Sequence, residues 1–279
     1  MGHFLLGTVY YSICNQYRTD RYTDLAVAHL DTAILLADAE ILSKPDCPDA
    51  YFILGSAYGY RAAYRGQNGS WWGAVRDGGK SASNLSKALS LDSTLYDAYL
   101  GLGAYHYWKS AKSKNLAFLP FISDRRAQGV SELQLAGRLG SISRIAAFRS
   151  LTVIYLNESR WAEAVDLADS VLLHTPGDAG SLMHVARASV GAEQWDEVVT
   201  AVRALRQSWD GGAYTDPCGA TEADFLEAKA LWGTGDKDGA MKLVTSILAA
   251  RDSCSANSYY AQTRRNTEAF RLQLKARRK

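Results

Sequence analysis

Proline is scarce in this chain, with five among 279 residues. Proline breaks helix interiors by removing a backbone donor and clashing with the preceding turn, so its scarcity favours an all-helical chain. Charge of one sign is also missing. Against 29 acidic residues stand 31 basic ones, a formal net charge of +2. That balance excludes whole-surface attraction to nucleic acid or an anionic membrane and leaves only local basic patches. No apolar run approaches the roughly 18 residues of a membrane span, so no transmembrane segment is expected. The opening FLLGTVYYSIC has no Lys or Arg ahead of it, is interrupted by Thr8 and Ser12, and lacks a small-residue cleavage site. It is read as structure and not as a signal peptide, although a leader removed earlier stays open.

Catalytic and metal-binding signatures are missing as well. His3, His29, His106, His174 and His184 are scattered, with no HExxH and no Cys–His spacing of a zinc site, and the four cysteines form no CxxC. There is no GxSxG, P-loop or GxGxxG, and Asp236 and Asp238 fall in a Gly-rich turn where solvated charge is expected. Neither enzyme activity, nor a cofactor, nor a metal is expected.

What is present is repetition. FLLGTVY at 4–10 returns as FILGSAY at 52–58, and Leu6, Leu54 and Leu102 are spaced by 48, as are Gly7, Gly55 and Gly103. Leu85 and Ala88 map onto Leu133 and Ala136 by the same 48. Further on, RWAEAV and QWDEVV place Trp161 and Trp195, Glu163 and Glu197, and Val165 and Val199 at a spacing of 34. Positions i, i+3, i+4 and i+7 share one helical face, and a small residue there lets a neighbouring helix approach closely, so the dipeptides read as packing devices.

Residues 148–176 resemble a tetratricopeptide repeat (TPR), with Phe148, Leu151, Thr152 and Tyr155 on the first helix, Trp161 and Ala164 entering the second, and Pro176 closing the unit. Tyr51, Leu54, Gly55 and Tyr58 fill the same places, as do Tyr99, Leu102, Gly103 and His106. The resemblance implies an all-α, right-handed TPR-like superhelix of about six helical hairpins plus a C-terminal capping helix. The units are set at 3–48, 49–96, 97–143, 144–177, 178–211 and 219–253, giving a repeat domain over 1–256 and a basic cap over 257–279. First helices are expected near His3, Ala50, Asp97, Ile145, Ala179 and Thr221, second helices near Arg21, Trp71, Ser123, Trp161, Trp195 and Lys237. In the last unit Asp224 and Glu227 fall where apolar residues belong, which puts its register in question. On the tail, Tyr260, Phe270 and Leu274 share or nearly share a face suited to covering the final repeat. The 48-residue step exceeds the 34-residue one by 14, partly in the connections YRGQNGSWW and KSKNLAFLPFIS. These enlarged units with an LPF loop are similar to larger-repeat TPR proteins related to the family called TPR domain 39.

An antiparallel hairpin returns to its starting end. Cys218, just before the sixth hairpin, and Cys254, just after it, are therefore expected within disulfide reach, whereas Cys14 and Cys47 belong to opposite ends of theirs. Such a bridge implies an oxidising compartment, periplasmic or exported if a leader has been removed. Without it a cytoplasmic location stands equally.

The resemblance also implies a concave groove built from the first helices, non-catalytic and suited to a peptide or protein segment. Carried over position by position, it includes Tyr11, Phe52, Tyr60, Tyr107 and Trp108 in the first half and Arg149, Asn157, Met183, Arg187, Lys229 and Trp232 in the second. Aromatic contact area and Arg forks suit a ligand with apolar and acidic groups. Three other readings stand beside it. The aromatics fill a tight superhelix, or they serve a helical carbohydrate-binding or carbohydrate-active protein, for which Trp71 and Trp72, opening a second helix, offer stacking, although one of such a pair usually packs inward. The third is nucleic-acid contact through Arg264, Arg265, Arg271, Lys275, Arg277, Arg278 and Lys279, which oppose one acid, Glu268. The overall charge speaks against this last reading, and positive charge near a helix C-terminus is favourable on its own.

Overall fold

A computed structural model describes residues 1–112, 123–210, 212 and 214–276. The LPF loop and the basic residues Arg277, Arg278 and Lys279 lie outside the described residues. Among those described, the elements are helices without a strand: α1 (Gly2–Tyr17), α2 (Thr23–Ser43), α3 (Pro48–Gln67), α4 (Trp71–Leu91), α5 (Ala98–Lys112), α6 (Arg126–Leu139), α7 (Arg144–Asn157), α8 (Trp161–His174), α9 (Ala179–Gly191), α10 (Trp195–Trp209), α11 (Pro217–Gly233), α12 (Lys237–Ala249) and α13 (Ser258–Ala276). Over the described residues this is an all-α helical-repeat fold of six helical hairpins and a closing helix. Local chemistry sets several starts. Pro48 and Pro217 occupy the first turns of α3 and α11, where a missing N–H costs nothing, and Asp178, Asp216 and Asp236 cap α9, α11 and α12 through their side chains.

The contacts divide the chain into two units, one of Met1–Tyr11 with Thr23–Leu151, the other of Ser12–Tyr22 with the chain from Thr152 onward, so that the divisions fall inside α1 and α7. In the first unit the repeated glycines are points of helix contact. A Cβ on Gly55 would stand 2.7 Å from Leu85 Cγ and 2.9 Å from its backbone nitrogen, and one on Gly103 would stand 2.6 Å from the Gly129 carbonyl oxygen. Gly7 meets Leu30 in the same way at 2.9 Å. Leu54 and Leu102 are buried, while Leu6 is 45% exposed. The long α3–α4 hairpin is fastened by a fully buried carboxylate: Asp77 accepts from Arg61 at 2.7 and 3.1 Å and from Arg65 at 2.5 Å, and Arg61 also reaches Asp31 at 2.5 Å. Burying this carboxylate is tolerable because both of its oxygens are paired.

In the second unit, the Trp161 ring packs on Gly191 and the Trp195 ring on Gly233, so the indoles stand where a Cβ would otherwise be. Between these contacts the tryptophans step by 34 and the glycines by 42, the difference lying in the long connection before α11. Left-handed residues end the first helices at the same steps: Ser159 (φ 58°), Glu193 (φ 57°) and Gly235 (φ 95°). Asp224 and Glu227 thus keep the repeat register, and they are accommodated at apolar positions because Arg206 of α10 donates to both, at 2.8 and 2.6 Å. The core continues from Met183, Val198, Val202, Leu205 and Leu226 to a second cluster where Tyr260, Phe270 and Leu274 of α13 cover Phe225, Val244 and Ile247.

Candidate binding site

In the first unit, aromatic side chains of successive first helices meet. The Tyr60 ring stands edge-on to Tyr11 at 5.4 Å and to Phe4 at 6.0 Å, and Gln67 donates to the Tyr11 hydroxyl at 3.2 Å. Burial pushes the Tyr60 hydroxyl up to about 12, with Tyr11 adding to the rise and the positive charge of Arg149 opposing it. Three groove positions, on α1, α3 and α7, are therefore electrostatic neighbours. Trp108 lies edge-on to Tyr107 at 5.0 Å, and the Lys112 ammonium stands over both Trp71 (5.1 Å) and Trp108 (5.8 Å). These rings are occupied with one another and with Lys112.

The second unit does contain a cavity, of about 310 Å³, between α9, α11 and α13. Its apolar side is Val190, Phe225 and Leu226; its polar side is Arg187, Glu222 and Lys229 with Tyr259, Gln262, Thr263 and Asn266 of α13. Arg187 and Lys229 differ by 42, the same step as Gly191 to Gly233, and hold the same place on successive first helices. Their states differ. Arg187 donates through Nε to Glu222 at 2.8 Å and through Nη2 to the same oxygen, while the Nε of Arg18, in the turn after α1, sits 3.2 Å from the other oxygen. Burial would raise the Glu222 carboxyl, but the two guanidiniums outweigh it and hold it below the ordinary range. Lys229 instead lies over the rings of Phe225 (5.8 Å) and Phe270 (5.9 Å), and burial lowers its pKa. Among the described residues no Asp or Glu pairs with it.

The charged side chains lining the cavity, Arg187, Glu222 and Lys229, leave it with an excess of positive charge, and Arg18 reaches Glu222 from outside the lining. No protein-family model matches the sequence, and no curated protein matches it. Solved structures do match. YrrB, a TPR protein with an unusual peptide-binding site, superposes with a TM-score of 0.51 at 14% identity, covering 82% of this chain and 97% of its own. PilW, a widely conserved type IV pilus biogenesis factor, gives 0.56 at 12% identity, covering 91% and 97%. The human IFIT1 dimer with m7Gppp-AAAA gives 0.50 at 10% identity, covering 88% of this chain and 57% of its own. The fold is TPR-like.

Within this TPR-like frame the groove positions separate. Arg187 and Lys229 line the cavity; Tyr11, Tyr60 and Arg149 form the aromatic cluster of the first unit, with Trp108 beside Trp71. Phe52, Tyr107 and Met183 are buried, Phe52 and Met183 within apolar clusters between helices. Asn157 is exposed at the end of α7, and Trp232 packs under Lys237 at 5.4 Å, so neither reaches the cavity. Sequence reasoning missed Glu222, Arg18 and the α13 wall. A signal for the wall was available: 259, 262, 263 and 266 follow i, i+3, i+4 and i+7, a polar stripe beside the apolar one of Tyr260, Phe270 and Leu274. Arg18 gave none, since nothing local distinguishes it.

Cys218 and Cys254 are joined by a disulfide with Cα atoms 5.3 Å apart. Among the described residues no group of three or more His, Cys, Asp or Glu is placed to hold a metal ion, and no helix is long and apolar enough to cross a membrane.

Proposed function

We propose that the protein is a non-catalytic scaffold that holds a peptide or protein segment, and that the cavity between α9, α11 and α13 receives an acidic group of that segment. The observation that carries this reading is Lys229, a half-buried cation on an apolar floor with no carboxylate partner among the described residues. An ammonium in such a place loses hydration without an ion pair to replace it, and an incoming carboxylate beside it regains that energy. Gln262 and Asn266 add amide groups able to bond an extended backbone, and Phe225 adds apolar contact. A TPR-like fold, shared with a protein described as having a peptide-binding site, supports the same role.

Panning a displayed library of random heptapeptides on the immobilised protein tests it. The expected outcome is enrichment of peptides that pair an acidic residue with apolar neighbours, bound at least tenfold more weakly by Lys229→Glu. Absence of enrichment, or binding indifferent to both Lys229→Glu and Arg187→Ala, would overturn the proposal.

A further inference from the structure

The wall that α13 gives to the cavity is held at its two ends by different forces. Its later turns are anchored by Phe270 and Leu274 in the apolar cluster. Its first turn is held by a polar hub. Asn257 caps α13 by accepting from Tyr260 N at 2.8 Å and donates through Nδ2 to the Arg18 carbonyl at 3.0 Å and to Asp216 Oδ2 at 3.1 Å. Asp216 caps α11 at Cys218 N (2.9 Å) and also accepts from Thr19 at 3.0 Å. Asp20 accepts from the backbone and hydroxyl of Ser258 at 2.6 and 2.8 Å.

This hub works only if the segments 216–218 and 254–257 keep their spacing, since hydrogen bonds weaken steeply with distance and angle. The Cys218–Cys254 disulfide lies two residues from Asp216 and three from Asn257, and it is the covalent tie between those segments. The chain between α12 and α13 is otherwise a run of turns.

We propose that the Cys218–Cys254 disulfide is a redox latch on the cavity, so that the oxidised chain presents the wall formed by residues 259–266 and reduction releases it. The chemistry is dithiol–disulfide exchange. A reductant thiolate attacks Cys218 Sγ, the less buried sulfur, and Cys254 leaves as a thiolate. A second thiol of the reductant then displaces Cys218, leaving two protein thiols and one reductant disulfide. Run in reverse with a disulfide oxidant, the same exchange makes binding competence follow arrival in an oxidising compartment.

Hydrogen exchange on the full chain, oxidised and after dithiothreitol, reads this without any ligand. The expected result is exchange at least tenfold faster over 257–266 in the reduced protein, with less than twofold change over 270–274 and in α9 and α10. The oxidised Asn257→Ala variant and the Cys218→Ser/Cys254→Ser double variant should reproduce the pattern. Equal protection of 257–266 in both redox states would overturn the latch, as would uniform loss across α9, α10 and α13, which marks a general staple. The consequence for binding rests on the reading of the cavity given above: a peptide selected on the oxidised protein should bind at least tenfold more weakly after reduction. If the oxidised protein selects no peptide, the binding reading fails while the exchange data still decide the latch.

Discussion

Asn257 donates through Nδ2 to the carbonyl oxygen of Arg18 at 3.0 Å, across 239 residues of sequence. The turn Arg18–Asp20 thereby belongs to the same unit as α11 and α13, and Arg18, with φ 52°, is held in a left-handed conformation while its guanidinium reaches Glu222. Close approach is what permits this. A Cβ on Gly219 of α11 would collide with the Arg18 carbonyl and Cβ.

Gly219→Ala is therefore expected to destabilise the protein by about 1–3 kcal/mol, the usual cost of overpacking against backbone. Gly180→Ala in α9, where the nearest atom would be 3.5 Å away, should leave stability unchanged or raise it by up to ~1 kcal/mol through helix propensity. Urea midpoints of the two variants beside the parent decide the matter, and equal losses would contradict the close-approach account.

Glu222 supplies an acid-side prediction. Its carboxyl is held below the ordinary range in the folded chain, so the unfolded chain takes up a proton first as pH falls. Its stabilisation is complete above the unfolded value of about 4.3 and is lost as pH drops through the lower folded value. Glu222→Gln should remove this step from the acid limb of a stability–pH curve. At neutral pH it should cost roughly 3–5 kcal/mol, because it leaves Arg18 and Arg187 without their shared anion.

Tyr60 gives the opposite sign at high pH. Its hydroxyl is pushed up to about 12, so its contribution is present below the unfolded value of about 10 and fades as pH rises through 12. Ultraviolet titration of the folded protein should show one phenol ionising about two units later in the parent that is missing in Tyr60→Phe. The variant should also lose less stability between pH 10 and 12.

Lys229→Met separates binding from folding. Burial already disfavours the ammonium, so replacing it with an apolar chain of similar length should leave the melting temperature unchanged or slightly higher. Peptides selected on the parent should bind the variant at least tenfold more weakly. A lower melting temperature with binding intact would place Lys229 in the scaffold instead of the site.

Much of the helical framework was legible because its determinants are local. Trp71, Trp161, Trp195 and Lys237 open α4, α8, α10 and α12 where the spacing places second helices. Gly55 and Gly103 face Leu85 and Leu133, the pairs that the 48-residue step aligns. The acids Asp224 and Glu227 cast doubt on the last register because Arg206, which neutralises them, lies on the preceding helix. Of the candidate groove positions, Arg187 and Lys229 line a cavity, whereas Phe52, Tyr107 and Met183 are consumed by packing. Met183 and Arg187 lie one turn apart on α9, so the helical period alone does not separate their fates and the neighbouring helices do.

By itself the sequence determined the repeat: which faces are apolar, where small residues let helices meet and where α4, α8, α10 and α12 begin, all consequences of local pattern over a few turns. Only the tertiary structure decided that the turn after α1 packs with α11 and α13, that Arg18 and Arg187 share Glu222, and that α13 forms a polar wall opposite Lys229. The first of these places Arg18 and Asn257, 239 positions apart, within hydrogen-bond distance. No local pattern encodes that, because it is set by the summed geometry of every hairpin between them.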